Sequence, residues 1–462
     1  MSLQKQPASL PYFADSSALF SLIADQPWSV FLDSGFPHSN QGRYDILATD
    51  PVCTLVTQGE TTRITRNHVT ISSTADPFDL VKAELLPPVD GYEDLPFNGG
   101  AIGYFSYDLA RRLENLPVIA QDAEQIADMA IGIYNWAVIV DHQEQKSFLV
   151  GLDENDEQKW QALIEQFSHL PDHSEYESFK VVSDIESNMD INAYTDAFNR
   201  IKHYLKEGDC YQVNLAQRFV AQCVGSPWVA YNSLRELNAA PFSGYLNFPE
   251  VQILSSSPER FLKLTDGHVE TKPIKGTRPR KQDDSEDQAQ IKSLENSYKD
   301  KAENLMIVDL LRNDISKTCQ KGSVKVPVIF NIESYTTVHH LVSTITGILA
   351  EDQHALDLLK SCFPGGSITG APKIRSMEII EELEPNRRGV YCGAIGYIGF
   401  NGNMDTNIAI RTLVHSNNTI RFWAGGGIVY DSKMEEEYQE SFDKASAMLT
   451  LLQQLTERND SH

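Results

Sequence analysis

Residues 99–107 read GGAIGYFSY, and far downstream residues 392–400 read CGAIGYIGF. Each is a strand-forming run with glycines placed where a neighbouring backbone can approach closely. The echo admits two readings: a chance similarity of two glycine-rich strands, or a fold built from two related halves. Around the first copy, 30–32, 44–48 and 53–57 are apolar, β-branched runs of strand length broken by Ser-Gly and Asp-Pro turns. The run 131–140 reads as one buried strand. From about 152 to 192 the chain turns polar and acidic (DENDEQ, then PDHSEYES), with a helix expected over 158–167 and a linker after it. Helical spacing follows at Tyr194, Phe198, Ile201 and Leu205. Strands and helices then alternate to the end, with helices expected over about 297–311 and 435–455. The chain thus divides into 8–150, an acidic helix and linker at 151–190, and 191–455. Mixed elements without a regular βαβ rhythm predict an α+β fold.

Composition narrows the function classes. The 462 residues carry 39 Lys and Arg against 64 Asp and Glu, a net charge of −25. A chain this acidic repels a nucleic-acid backbone, so no nucleic-acid partner is expected. The longest apolar run, 129–140, is too short for a bilayer and contains Asn135, so no membrane is expected either. The start lacks a secretory apolar core. Six scattered cysteines form no CxxC pair, which signals neither a zinc site nor a disulfide framework. A soluble, reduced, cytoplasmic protein is expected.

Unusual residues concentrate in the second half. Asp300 with Glu303 and Glu437 with Glu440 are i,i+3 pairs, each on one face of its helix. Two such faces meeting would make an oxygen cluster suited to Mg²⁺, which needs only one or two direct carboxylates. Solvated acidic faces are the competing reading, although Glu303 and Glu440 sit in strongly apolar stretches. Two glycine-rich segments are read as loops, 365–373 (GGSITGAPK) and Gly425, Gly426, Gly427. The first precedes a helix beginning near Pro372 at its first turn. It lacks the Gly-Lys-Ser/Thr ending of a phosphate loop, leaving a carboxylate-binding nest or a plain turn. The basic stretch 272–281 is followed by DDSED, so its charge nearly cancels. Within it, Lys275 lies between Ile274 and Gly276, and a desolvated lysine can become a nucleophile.

Together the motifs resemble the chorismate-utilising enzymes. The stretches that carry the resemblance are PFNGGAIGYFSYDLAR (96–111), GDCYQVNLAQRF (208–219), SSSPERFL (255–262), KPIKGTRPR (272–280), AENLMIVDLLRND (302–314), HLVSTITG (340–347), GGSITGAPK (365–373), YCGAIGY (391–397), AIRT (409–412), AGGGIV (424–429) and ESFDKA (440–445). They occur in family order from about 20 to 455. The resemblance implies two large antiparallel sheets packed face to face with helices outside, internally duplicated. It implies an N-terminal, tryptophan-binding region at 8–150 and a chorismate-binding catalytic domain at 191–455.

The resemblance also implies a chemistry. Mg²⁺ would be held by Glu303 and Glu440, with Asp300 and Glu437 reached through water. Substrate contacts would come from Arg411, Tyr391, Lys444, Ser367 and the backbone of Gly425–Gly427, and His340 falls on the family's active-site histidine. Anthranilate synthases carry alanine where this chain has Lys275. Isochorismate and salicylate synthases carry a lysine base where it has Gln212. The implied branch therefore makes 4-amino-4-deoxychorismate, on the way to p-aminobenzoate and folate, with Lys275 as nucleophile and Glu259 as general acid. Ammonia would come from a glutamine amidotransferase subunit paired with this chain, since none of its cysteines sits in a Gly-x-Cys-x-Gly elbow. Bound L-tryptophan would contact Ser34, Arg43, Tyr44, Pro241, Phe242 and Ser243. The alternatives are an anthranilate synthase component I, against which Lys275 argues, and a catalytically dead, tryptophan-binding regulatory subunit.

Overall fold

A computed structural model describes residues 7–39, 42–92, 94–152, 156–171, 176–334 and 338–456. Parts of the polar stretches at 153–155 and 172–175, two residues of the loop before Arg43 and both tails lie outside the described residues. The two GAIGY copies become strands Gly100–Phe105 and Ala394–Gly399, and they are neighbours. They pair antiparallel near the middle of a 12-stranded sheet, with Gly103 directly opposite Gly396. A Cβ on either glycine would lie 2.1 Å from the carbonyl of the strand on its other side, Ala130 or Asp405, so no side chain fits. A second, 13-stranded sheet joins Ser29–Asp33 to Phe242–Phe248. Both sheets therefore draw strands from the 8–150 and the 191–455 segments.

Alternation along the strands explains the layering. Val30, Ile46, Ile139 and Leu246 of the 13-stranded sheet face a core shared with Leu55, Ile102, Ile131 and Ala394 of the other sheet. Their sequence neighbours Phe31, Leu47, Val138 and Tyr245 point the opposite way. There they meet Leu19 and Phe20, Trp160, Trp228 and Met448 from helices on the outer face. This is the face-to-face α+β sandwich, with strands buried on both sides and hence continuously apolar in sequence.

That double burial corrects the reading of 131–140. The run is two strands, Met129–Tyr134 in the 12-stranded sheet and Trp136–Asp141 in the 13-stranded one. The chain changes sheets at Asn135, whose carbonyl accepts from the Leu152 N–H at 2.7 Å.

Helix Pro227–Leu237 is bolted to strand Ser29–Asp33 by Arg235, whose Nε donates to Asp33 Oδ2 at 2.6 Å and whose guanidinium lies over Phe31. Both partners are buried. Removing the cation strands a buried carboxylate, so Arg235→Met should lower unfolding stability by about 3–5 kcal/mol. An unchanged urea midpoint would show that the pair is dispensable.

Candidate active site

The strand Ile274–Pro279 pairs with Val338–Ile348, and its register slips between Lys275 and Thr277. Gly276 sits at the slip with φ +77°, and a Cβ there would be 2.7 Å from Leu294 and 2.8 Å from Asp300. The glycine thus permits both the bulge and the close approach of the flanking helices. Lys275 is half-buried, and its Nζ donates to the Ser367 carbonyl at 3.3 Å. The Ser367 hydroxyl donates to Glu259 Oε1 at 2.9 Å, so one serine touches both groups.

Their environments push the two groups toward neutrality. Burial holds Lys275 below the usual lysine range, helped by Lys444 and opposed by Glu303, Glu259 and Glu440. Burial raises Glu259 above the usual carboxyl range, against the pull of Lys275, the Ser367 hydroxyl and Lys444. Neutral amine and protonated acid are the forms a nucleophile and a proton donor need. His340 is cross-strand from Thr277, whose Oγ1 lies 2.9 Å from His340 Nδ1. Burial, together with nearby Arg411, lowers His340 to about 4. It is therefore neutral at physiological pH, which suits an orienting role.

The two acidic helix faces do meet. Ser297 caps helix Tyr298–Ser316, its Oγ accepting from the Asp300 N–H at 3.2 Å. Glu437 and Glu440 lie on helix Met434–Gln454. Lys299 bridges the helices, its Nζ 4.0 Å from Glu303 and 3.6 Å from Glu437. Glu440 pairs with Lys444 at 2.7 Å, and Lys444 also donates to the Gly425 carbonyl at 3.0 Å. Burial raises Glu303 and Glu437. Burial also acts on Glu440, but Lys444 with the other lysines outweighs it and holds that carboxyl low. Asp300 accepts from Arg278 at 3.2 Å, and Glu437 accepts from Ser432 Oγ at 2.6 Å. No three acid, His or Cys groups among the described residues close into a metal cage as folded. Glu303 Oε1 is nevertheless buried without a hydrogen-bond partner, beside a second helix supplying Glu440. That donor set fits Mg²⁺, which keeps most of its waters and takes one or two carboxylates.

Gly425–Gly427 are not a loop, as the sequence suggested; they lie inside strand Thr419–Val429, opposite Ala216, Leu215 and Asn214. A Cβ on Gly426 would sit 3.2 Å from both Glu437 and Glu440. Gly426 thus clears space for the carboxylates above the sheet, while Gly425 and Gly427 lie against the Leu215 carbonyl and the Gln212 side chain. Segment 365–373 holds a single 3₁₀ turn, Gly366–Ile368, and Pro372 caps helix Lys373–Leu383 instead of opening it. Arg411, at φ +50°, makes no side-chain hydrogen bond or ion pair with the described residues, and a guanidinium's fork of N–H donors matches a carboxylate. Tyr391 is buried and stacks on Trp423 at 6.2 Å.

Ser34, Arg43, Tyr44, Pro241, Phe242 and Ser243 all line one cavity of about 1240 Å³. Ser34 Oγ is buried there without a partner. Arg43 is paired with Asp141 at 2.7 Å and lies over Tyr44. The cavity is separate from the Lys275 site, yet Pro258 and Ile274 line it while their neighbours Glu259 and Lys275 face the site. Lys299, Thr277, Asn214, Glu384 and Arg388 belong to the site's surroundings and were not singled out in the sequence. Only the i,i+4 spacing of Glu384 and Arg388 offered a local signal.

A model of the chorismate binding enzyme family matches residues 30–450. Aminodeoxychorismate synthase component 1 of Escherichia coli strain K12 is 49% identical over 439 residues, covering 94% of this chain and 95% of the relative. The protein of the same name from Klebsiella aerogenes is 48% identical over 450 residues, covering 96% and 98%. Anthranilate synthase component I from Streptococcus pneumoniae TIGR4 superposes with a TM-score of 0.80 at 33% identity, covering 89% of this chain and 93% of that one. The chain belongs to the chorismate binding enzyme family.

Proposed function

We propose that this chain converts chorismate and ammonia to 4-amino-4-deoxychorismate, supplying p-aminobenzoate and thereby folate synthesis. The observation that carries the reading is the Lys275–Ser367–Glu259 arrangement: an amine and a carboxyl on one serine, each held toward its neutral form. In the proposed reaction the Lys275 Nζ lone pair forms a bond to ring carbon 2 as both conjugated ring double bonds shift along the ring and the carbon 4–oxygen bond breaks. Glu259 gives its proton to the departing hydroxyl, which leaves as water. Ammonia then adds at carbon 4 and gives a proton back to the Glu259 carboxylate, both double bonds shift back, and the bond to Lys275 breaks. The enolpyruvyl ether is untouched throughout. Arg411 and the Gly425–Gly427 strand would orient the substrate carboxylates, with Ser367, Tyr391 and Lys444 completing the contacts.

Glu303 and Glu440 would hold Mg²⁺, with Asp300 and Glu437 reached through water; bound there, the ion would neutralise the ring carboxylate. Ammonia would come from a glutamine amidotransferase subunit, consistent with the component 1 naming of the relatives. All six cysteines of this chain are buried, and burial drives Cys362 and Cys392 up to about 12, so none has the character of an amidotransferase nucleophile. The unpartnered Ser34 hydroxyl supports a tryptophan in the 1240 Å³ cavity. No helix among the described residues is long and apolar enough to cross a membrane.

Mass spectrometry of the small molecules tests the reading. The chain with chorismate, Mg²⁺ and an ammonium salt at mildly alkaline pH should give an amino-substituted product that keeps its enolpyruvyl group. Chelating the metal should stop turnover, and Glu303→Gln should raise the Mg²⁺ concentration needed by roughly 10-fold or more. Anthranilate with pyruvate as products would overturn the assignment.

A further inference from the structure

Arg388 and Glu384 take no part in the reaction as proposed, yet the Arg388 side chain is among the largest fully buried ones of the chain. It lies just beyond the end of helix Lys373–Leu383, in the segment that leads to Tyr391. Its Nε and Nη2 donate to the two Glu384 oxygens at 2.9 and 2.6 Å. Nη1 donates to the Ile368 carbonyl at 2.9 Å and Nη2 to the Asn214 carbonyl at 3.1 Å. The guanidinium also lies over the rings of Tyr107 and Tyr391, at 4.9 and 5.7 Å. Glu384 in turn accepts from the Ala216 N–H at 2.9 Å.

The carbonyl it grips is next to the serine that touches both reacting groups. Ser367 and Ile368 lie in a three-residue 3₁₀ turn, too short to be rigid alone, which leads into the two-residue strand Gly370–Ala371 paired with Val213 and Gln212. The turn is held from one side by Asn214, whose Nδ2 donates to the Ile368 carbonyl at 3.0 Å and whose N–H donates to the Thr369 carbonyl at 2.9 Å. Asn214 itself faces Gly427 across the ladder. Arg388 takes both the Ile368 and the Asn214 carbonyls, so one planar cation sets the 3₁₀ turn relative to the glycine strand. A shift of that turn would displace the Ser367 carbonyl from Lys275 and its hydroxyl from Glu259 together.

We propose that Arg388, oriented by Glu384, is a positioning residue that holds the Lys275 and Glu259 side chains in reacting geometry through the Ser367–Ile368 backbone. The inference rests on the reading of Lys275 and Glu259 given above. It differs from simple fold stabilisation, because a buried ion pair can often be replaced by a neutral pair without loss of stability. Lysine is no substitute, since an ammonium lacks the planar fork that reaches Glu384 and two carbonyls at once.

The test is a mutant cycle read by product formation. Replacing the pair as R388M/E384Q keeps an acceptor for the Ala216 N–H and removes the guanidinium. With the thermal midpoint near that of the wild type, kcat should fall about 30–100-fold while KM for chorismate moves less than about threefold. In a Ser367→Ala background, which cuts the hydroxyl arm to Glu259 and leaves the carbonyl under Lys275, the same double change should cost a smaller fold than in the wild type, because one of its two arms is already gone. Equal fold losses in the two backgrounds would overturn the proposal, as would wild-type kcat in the stable double variant. Should R388M/E384Q fail to fold, R388K serves: it retains a charge for Glu384, and wild-type kcat in the folded protein again overturns the idea. Failure of the underlying reading shows separately, as activity surviving in Lys275→Ala, since the cycle reports Arg388–Ser367 coupling whichever residue is the nucleophile.

Discussion

Lys275→Ala is expected to lose the covalent mass increment that the wild-type chain acquires from chorismate, and to lose at least roughly 10³-fold in turnover with it. The amine sits on a bulge at Gly276, rests on the Ser367 carbonyl and is held low by burial, which suits it to the proposed role. Its neutral fraction grows as pH rises through that lowered value. Adduct formation in the wild type should therefore climb with pH and level off below the range where an exposed lysine titrates. Intact-protein mass spectrometry of chain mixed with chorismate, without ammonia, reads both effects. An adduct that persists in Lys275→Ala would remove the lysine from the mechanism.

Glu259→Gln is expected to lower kcat by about 10²–10⁴-fold, the usual worth of a positioned general acid. Glutamine preserves the contact with the Ser367 hydroxyl, so chorismate KM should change little, and the lost quantity is the proton. Glu259 is buried, and that burial keeps its carboxyl protonated at higher pH than an exposed glutamate. Its ionisation should shape one limb of the wild-type pH profile, and that limb should be missing in the variant. A profile that keeps both limbs, or a rate near that of the wild type, would move the acid role elsewhere.

Much of the site was legible because its parts carry strong local chemistry. Lys275 beside a glycine, the i,i+3 acid pairs and the basic-then-acidic run around 272–287 each stand out in one dimension, and the order of motifs joined them. What escaped was what depends on close packing. Glycine favours turns, so the triple glycine at 425–427 reads as a loop, whereas here it lies in a strand whose Gly426 lets two carboxylates stand over it. The run 131–140 merged two strands because strands buried on both faces lose their alternation. Glu384 and Arg388 do not stand out in the sequence, since nothing in their spacing says that both are buried.

The sequence by itself determined the fold class and the family, because strand-length apolar runs, glycines between crowded strands and a long ordered set of motifs survive without coordinates. It also offered Lys275 and the four carboxylates as candidates, with Glu259 added by the family resemblance. Only the tertiary structure decided that residues 259, 275 and 367 meet, that Lys299 ties the two acidic helices, and that Glu303 keeps a buried oxygen without a hydrogen bond. It alone placed one buried guanidinium behind that meeting point. The physical reason is range: propensity and pattern act over a few residues, whereas desolvation, ion pairing and hydrogen-bond satisfaction depend on which distant segments the two sheets bring within 3 to 4 Å.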